Sequence, residues 1–137
     1  MRTRVDWGEV PAVILDTSVL LAHFLDEPGS IDLEIIRRKA RIPFMTACEL
    51  HYVVSRKRGQ ALADQCFGLI KSWDVPILHS SEEWILAASR LKDRYGLGLG
   101  DSFIAAASLC ENIPLLTYDS GFSPLTKEIR ILGIGSI

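Results

Sequence analysis

Four carboxylates in this chain occupy a similar kind of place: Asp16, Glu49, Asp101 and Asp119 each fall where an apolar run gives way to the next segment. Asp16 follows Val13-Ile14-Leu15 and precedes Thr17-Ser18, and Asp119 follows Leu115-Leu116-Thr117-Tyr118. Glu49 sits in the first turn of a helix read from Thr46, and Asp101 opens a helix whose residues Phe103 to Cys110 carry no charge. Each acid has a plain reading when taken singly. Asp16, Thr17 or Ser18 caps a helix, Thr46 with Glu49 makes a capping box, Asp101 is a good N-cap, and Asp119 with Gly121 suits a turn. Taken together they ask for more. Carboxylates gathered at one edge repel one another, and such a set is normally neutralised by a divalent cation. All-oxygen ligation favours Mg2+ or Mn2+ over zinc, and the chemistry such a centre serves is activation of a water molecule. His23, His51 and His79 show no pairing of the zinc-binding kind.

Whether the acids gather depends on the elements that carry them. Ala12-Val13-Ile14-Leu15 reads as a strand buried on both faces, of the sort found in parallel α/β sheets. A short helix follows over Val19 to Leu25. Asp26 to Gly29 form a turn, and Ser30 caps a helix reaching about Ala40, with Ile31 and Ile35 one turn apart. Ile42 to Met45 form a short strand, with Pro43 near its start. A helix from Thr46 to about Arg58, stopped by Gly59, buries Ala47, Leu50 and Val54.

Ala61 to Trp73 is a further helix with Leu62, Cys66, Leu69 and Trp73 at helical spacing, and Val75-Pro76-Ile77-Leu78 leads to a short strand. Ser80 with Glu83 opens a helix whose Trp84, Ala88, Leu91 and Tyr95 share a face. Gly96 to Gly100 form a loop, and its glycines follow a helix rather than a strand, so they are no dinucleotide fingerprint. The helix from Asp101 is apolar all round and therefore buried. Strands at Ile113 to Thr117 and Ile129 to Ile134, with a turn at Ser120 to Pro124, complete the chain. The alternation implies a mainly parallel sheet with right-handed crossovers, whose strand carboxyl ends and following helix N-termini share one edge. All four acids are expected there.

At 137 residues, of which 48% are apolar, the chain has room for one domain over 1–137 with a real core. No apolar run is long enough to span a bilayer and none follows the N-terminal arginines, so a cytosolic protein is expected. Cys48, Cys66 and Cys110 are odd in number and lack Cys-x-x-Cys spacing, which argues against a disulfide framework or a zinc knuckle. A net charge of -2 lacks the basic excess of a strong nonspecific nucleic-acid binder. A mean hydropathy of +0.21 hints at apolar surface covered by a second protomer or a partner.

Four segments now bear comparison with a known pattern. Ile14-Leu15-Asp16-Thr17-Ser18, Thr46-Ala47-Cys48-Glu49-Leu50, Gly100-Asp101-Ser102-Phe103-Ile104-Ala105-Ala106-Ala107 and Leu116-Thr117-Tyr118-Asp119-Ser120-Gly121-Phe122 resemble, in order and spacing, the four acidic motifs of the PIN-domain ribonucleases. The size is most similar to that of the VapC toxins of toxin-antitoxin systems. Residues 1–10 lie outside the resemblance, and Ser18 stands where the family often has Asn. The resemblance implies a three-layer α/β/α sandwich around a mainly parallel sheet of four to five short strands. It implies an endoribonuclease using Mg2+ or Mn2+, with Asp16, Glu49, Asp101 and Asp119 as catalytic and metal-holding residues and products bearing 5′ phosphate and 3′ hydroxyl ends. It also implies a homodimer and a small VapB-like antitoxin.

The hydroxyls of Ser18 and Thr117, beside two of the acids, could orient carboxylates or metal-bound water. Arg37, Arg38, Arg56 and Lys57 are candidate RNA contacts, equally well explained as basic helix ends. Two other readings fit part of the pattern. A phosphatase or phosphoacceptor of the haloacid-dehalogenase or receiver type would use Asp16 as nucleophile, but it calls for an Asp at position 18 and a Lys at a later strand end. A catalytically silent PIN-like module would only bind RNA or a partner.

Overall fold

The structure, a computed structural model, describes residues 5–27 and 31–133. Five strands, β1 (Val13–Leu15), β2 (Ala40–Pro43), β3 (Ile77–Leu78), β4 (Leu115–Leu116) and β5 (Ile131–Leu132), form one sheet in the order β3-β2-β1-β4-β5. Every pairing is parallel, with Val13 opposite Ala40 and Ile14 opposite Leu115. The helices are α1 (Thr17–Phe24), α2 (Leu33–Ile36), α3 (Phe44–Arg58), α4 (Gln60–Ser72), α5 (Glu82–Tyr95) and α6 (Leu99–Glu111). This is the expected α/β class, with five strands.

Side chains alternate across a strand, and β1 shows what that does here. Val13 and Leu15 enter a core with Val19, Leu20, Leu50, Cys66 and Ile70, whereas Ile14 enters a second core with Trp84, Ala105, Ala106 and Phe122. Two apolar layers therefore flank the sheet, as a continuous apolar run in a parallel strand requires. The chain leaves β1 for β2 and β3 on one side, then returns past it to β4 and β5 on the other. The carboxyl ends of β1 and β4 thus flank the point where strand order reverses, which is where open α/β sheets place their ligands.

Several boundaries differ from the sequence reading, each for a local reason. Helix α2 is a single turn capped by Asp32, whose Oδ1 accepts from Glu34 N at 2.9 Å. It stops short of Ala40 because Ala40 is buried in β2 against Val13. Ser30, expected as the cap, lies outside the described residues with Pro28 and Gly29, as does Ile134. Phe44 and Met45 open α3 instead of ending a strand, so Thr46 is already helical and no capping box with Glu49 forms. The buried Thr46 hydroxyl donates instead to the Leu15 carbonyl at 2.8 Å, pinning α3 to the end of β1.

Helix α4 buries Ala63, Cys66 and Ile70, leaving Leu69 half exposed. Ser81 rather than Ser80 caps α5, accepting from Trp84 N at 3.3 Å. Helix α6 begins two residues earlier than expected, with Gly98 at the N-cap, so Asp101 lies inside its first turn. The turn after Asp119 continues as a 3-10 segment, Ser120–Lys127, that buries Phe122 and Leu125. No helix among the described residues is long and apolar enough to cross a membrane.

Candidate functional site

Asp16 ends β1 and occupies the N-cap position of α1, yet its carboxylate makes no capping bond to that helix. It is 3% exposed, and its Oδ2 accepts two short hydrogen bonds, from Ser18 Oγ at 2.7 Å and from Thr117 Oγ1 at 2.7 Å. Backbone groups fix the direction of both hydroxyls. Ser18 Oγ accepts from Tyr118 N at 3.0 Å and Thr117 Oγ1 accepts from Asp119 N at 2.9 Å, which leaves the two hydroxyl protons for Asp16. The ends of β1 and β4 are thereby tied through one carboxylate.

Glu49 comes to the same edge from α3. Its Oε1 accepts from Thr17 Oγ1 at 3.1 Å, and its carboxylate lies flat against the backbone of Gly100 in α6. Asp101 follows directly and is half-buried. Burial pushes the Asp101 carboxyl up to about 6, helped by the charges of Asp16, Glu49 and Asp119. Burial also raises Asp16, against the pull of Thr117 and Ser18. Glu49 is raised by burial too, with Thr17 opposing and the charge of Asp16 adding to the rise. Hydroxyl and backbone donors alone oppose these shifts; no Lys or Arg among the described residues does so. Asp119 is exposed, and its Oδ1 caps the 3-10 segment by accepting from Gly121 N at 2.8 Å.

Asp101 therefore lies within reach of the charges of Asp16, Glu49 and Asp119, and Glu49 within reach of that of Asp16. Among the described residues, no three His, Cys, Asp or Glu side chains are already placed so as to hold an ion. The donor set itself is all oxygen and mutually repelling, which is the chemistry of a hard divalent cation rather than of zinc.

The four candidate cations are elsewhere. Arg37 and Arg38 precede β2, and Lys39 between them and the strand accepts from Val13 N at the start of β1 (2.9 Å), so both arginines lie at the opposite edge of the sheet. There Arg37 Nε donates to the Trp73 carbonyl at 3.3 Å and its Nη1 pairs with Glu34 at 3.4 Å. Arg56 and Lys57 stand in the last turn of α3, about 10 Å along the helix axis from Glu49. The structure brings none of these four to the acids. It brings instead Thr17 and Gly100, for which the sequence offers only adjacency to an acid. Nothing in the spacing pairs Thr17 with a residue 32 positions on.

Comparisons with known proteins bear on this arrangement. Residues 13–128 match the PIN domain family. No curated protein matches the chain in sequence. Among solved structures, VapBC2 from Rickettsia felis, bound to a promoter DNA fragment, is similar with a TM-score of 0.72 at 21% identity, covering 89% of this chain and 98% of that one. VapBC-5 from Mycobacterium tuberculosis, a member of a toxin-antitoxin family, gives 0.67 at 21%, covering 90% and 99%. The sarcin-ricin-loop-cleaving toxin VapC20 of the same organism gives 0.65 at 15%, covering 82% and 94%. At such identities the likeness is one of fold, and it is the family match, spanning both cores and all four acids, that shows this chain to belong to the PIN domain family.

Proposed function

We propose that this chain is a Mg2+- or Mn2+-dependent endoribonuclease and the toxin of a VapBC-type pair. The observation that carries the reading is the convergence of Asp16, Glu49 and Asp101 at the strand-order reversal, each raised by burial and unopposed by any described Lys or Arg. Carboxylates so placed are the ligands of a cation. Asp16, Glu49 and Asp101 would hold one ion, and Asp119, exposed beside them, would complete that site or help recruit a second. When bound, the ion supplies a Lewis acid that lowers the pKa of a water and offsets charge developing on the phosphate.

The chain's own residues supply the order. Ser18 and Thr117 both donate to Oδ2 of Asp16 and so fix the direction of its carboxylate. Thr46 anchors α3 to β1 and so fixes the height at which Glu49 enters.

Partners form part of the proposal. The solved relatives include VapBC complexes, and one relative is described as a toxin that cleaves the sarcin-ricin loop. A structured RNA loop is therefore a rational first substrate, and a small antitoxin a rational partner.

The test is cleavage of end-labelled structured and single-stranded RNAs by the purified chain in Mg2+ or Mn2+, with EDTA and Asp101→Asn as controls. Metal-dependent cutting with 5′ phosphate ends, absent from the variant, supports the reading. Equal cutting by both proteins, or cutting that survives EDTA, overturns it.

A further inference from the structure

We propose that Thr17 and Gly100 are positioning residues that together seat the Glu49 carboxylate at the acidic edge. The inference rests on the metal-centre reading above. It begins from a physical difficulty. Glu49 has a long, flexible side chain that shares its edge with Asp16 and Asp101, and like charge pushes it away from them toward water. Two features hold it in place. The hydroxyl of Thr17, the buried first residue of α1, donates to Oε1 at 3.1 Å. Gly100 then leaves the space in which the carboxylate lies. A Cβ built there would stand 2.9 Å from Oε2, closer than real Cβ atoms come, and 3.1 Å from Cδ and 3.2 Å from Oε1, so the Glu49 carboxylate would have to shift from its place.

The neighbouring glycines give the contrast. A Cβ on Gly96 or Gly98 would meet nothing within 4 Å, so of the glycines in this stretch only Gly100 is required by a side chain across from it. The seat is thus built from the first turns of α1 and α6, while the carboxylate comes from α3. Thr17 thus engages Oε1, while Oε2 is the oxygen nearest Gly100. The arrangement parallels that at Asp16, where hydroxyls also occupy one oxygen of the pair.

The experiment uses the full chain and has two arms. In the first, Mn2+ binding is measured by calorimetry for wild type, Thr17→Val, Thr17→Ser, Gly100→Ala and Gly98→Ala. Thr17→Val and Gly100→Ala should each weaken binding by about 10- to 100-fold, the usual cost of losing a residue that orients a ligand. Thr17→Ser, which keeps the hydroxyl, should restore it, and Gly98→Ala should match wild type. In a Glu49→Ala background the effect of Thr17→Val should vanish. An undiminished effect there, or an equal loss in Gly98→Ala, overturns the proposal.

The second arm needs no ion. Urea unfolding of the metal-free protein should show Thr17→Val and Glu49→Ala to be coupled, and strict additivity overturns the seat. If wild type binds no Mn2+ at all, the metal-centre reading falls, and the seat is decided by this coupling alone.

Discussion

Thr117 and Asp16 lie 101 positions apart, yet Thr117 Oγ1 donates to Asp16 Oδ2 at 2.7 Å, both groups being buried. The bond joins the end of β4 to the end of β1 across the strand-order reversal. It also explains how an acid can remain at a site that raises its pKa: the hydroxyl returns part of what burial removes. Thr117→Val keeps the shape and deletes the donor. It also leaves Asp119 N without its acceptor. A loss of about 1–3 kcal/mol in urea unfolding is expected, with activity falling about 10- to 100-fold at fixed Mn2+. Ser18→Ala, at a half-buried site, should cost less on both counts. Equal unfolding midpoints for wild type and Thr117→Val would show that the bond adds nothing.

Asp101 carries its charge at a cost to stability. Its folded carboxyl titrates at about 6 against a reference of 3.8. An acid whose pKa rises on folding binds more protons in the folded state between those values, so stability falls as pH climbs through that window. Above about pH 6 the full penalty of the charge is present; below the reference value it is gone. Metal-free Asp101→Asn should therefore melt higher than wild type at pH 7, and the gap should close by about pH 4. Adding Mn2+ at pH 7 should raise the melting temperature of wild type but not of the variant. A variant that melts lower than wild type at pH 7 would show that Asp101 is not under charge strain.

What the sequence disclosed, and what it hid, follows from the range of each interaction. Asp16 and Asp119 were legible because a strand end is a local event: an apolar run stops and a polar group follows. Asp101 was legible for the same reason, although its place in the turn was not. Gly98 rather than Asp101 takes the N-cap, although it has no side chain to cap with. Thr46 and Glu49 read as a capping box because the spacing is right, but the Leu15 carbonyl of the neighbouring strand claimed the hydroxyl. Ala40 read as helical until its partner Val13 was in place. The bond from Thr17 to Glu49 spans two helices and leaves no mark in either segment.

The 3-10 segment that follows Asp119 should be as important to stability as any core helix. Phe122 is fully buried there, packed with the α5 and α6 side of the core. Phe122→Ala removes a large side chain that the surroundings cannot refill, and about 3–5 kcal/mol should be lost in urea unfolding. Gln65→Ala, at an exposed position in α4, should stay within about 0.5 kcal/mol of wild type. A small loss for Phe122→Ala would mean that the segment folds independently of the core.

The distribution of cations makes a prediction about substrate length. Arg37 and Arg38 lie at the edge of the sheet opposite the acids, and Arg56 and Lys57 at the far end of α3. On the proposed function, only an RNA that extends well beyond the cleavage point would reach them. For such an RNA, Arg56→Ala with Lys57→Ala should lower the slope of log affinity against log salt, by about 0.7 for each lost phosphate contact on a single strand. For an oligonucleotide just long enough to fill the acidic edge the slope should not change. Cleavage of that short substrate at saturation should also match wild type, because no side chain near the scissile phosphate has been altered. If the double substitution weakens short and long RNAs alike, the end of α3 comes closer to the acids in the complex than it does in the free chain.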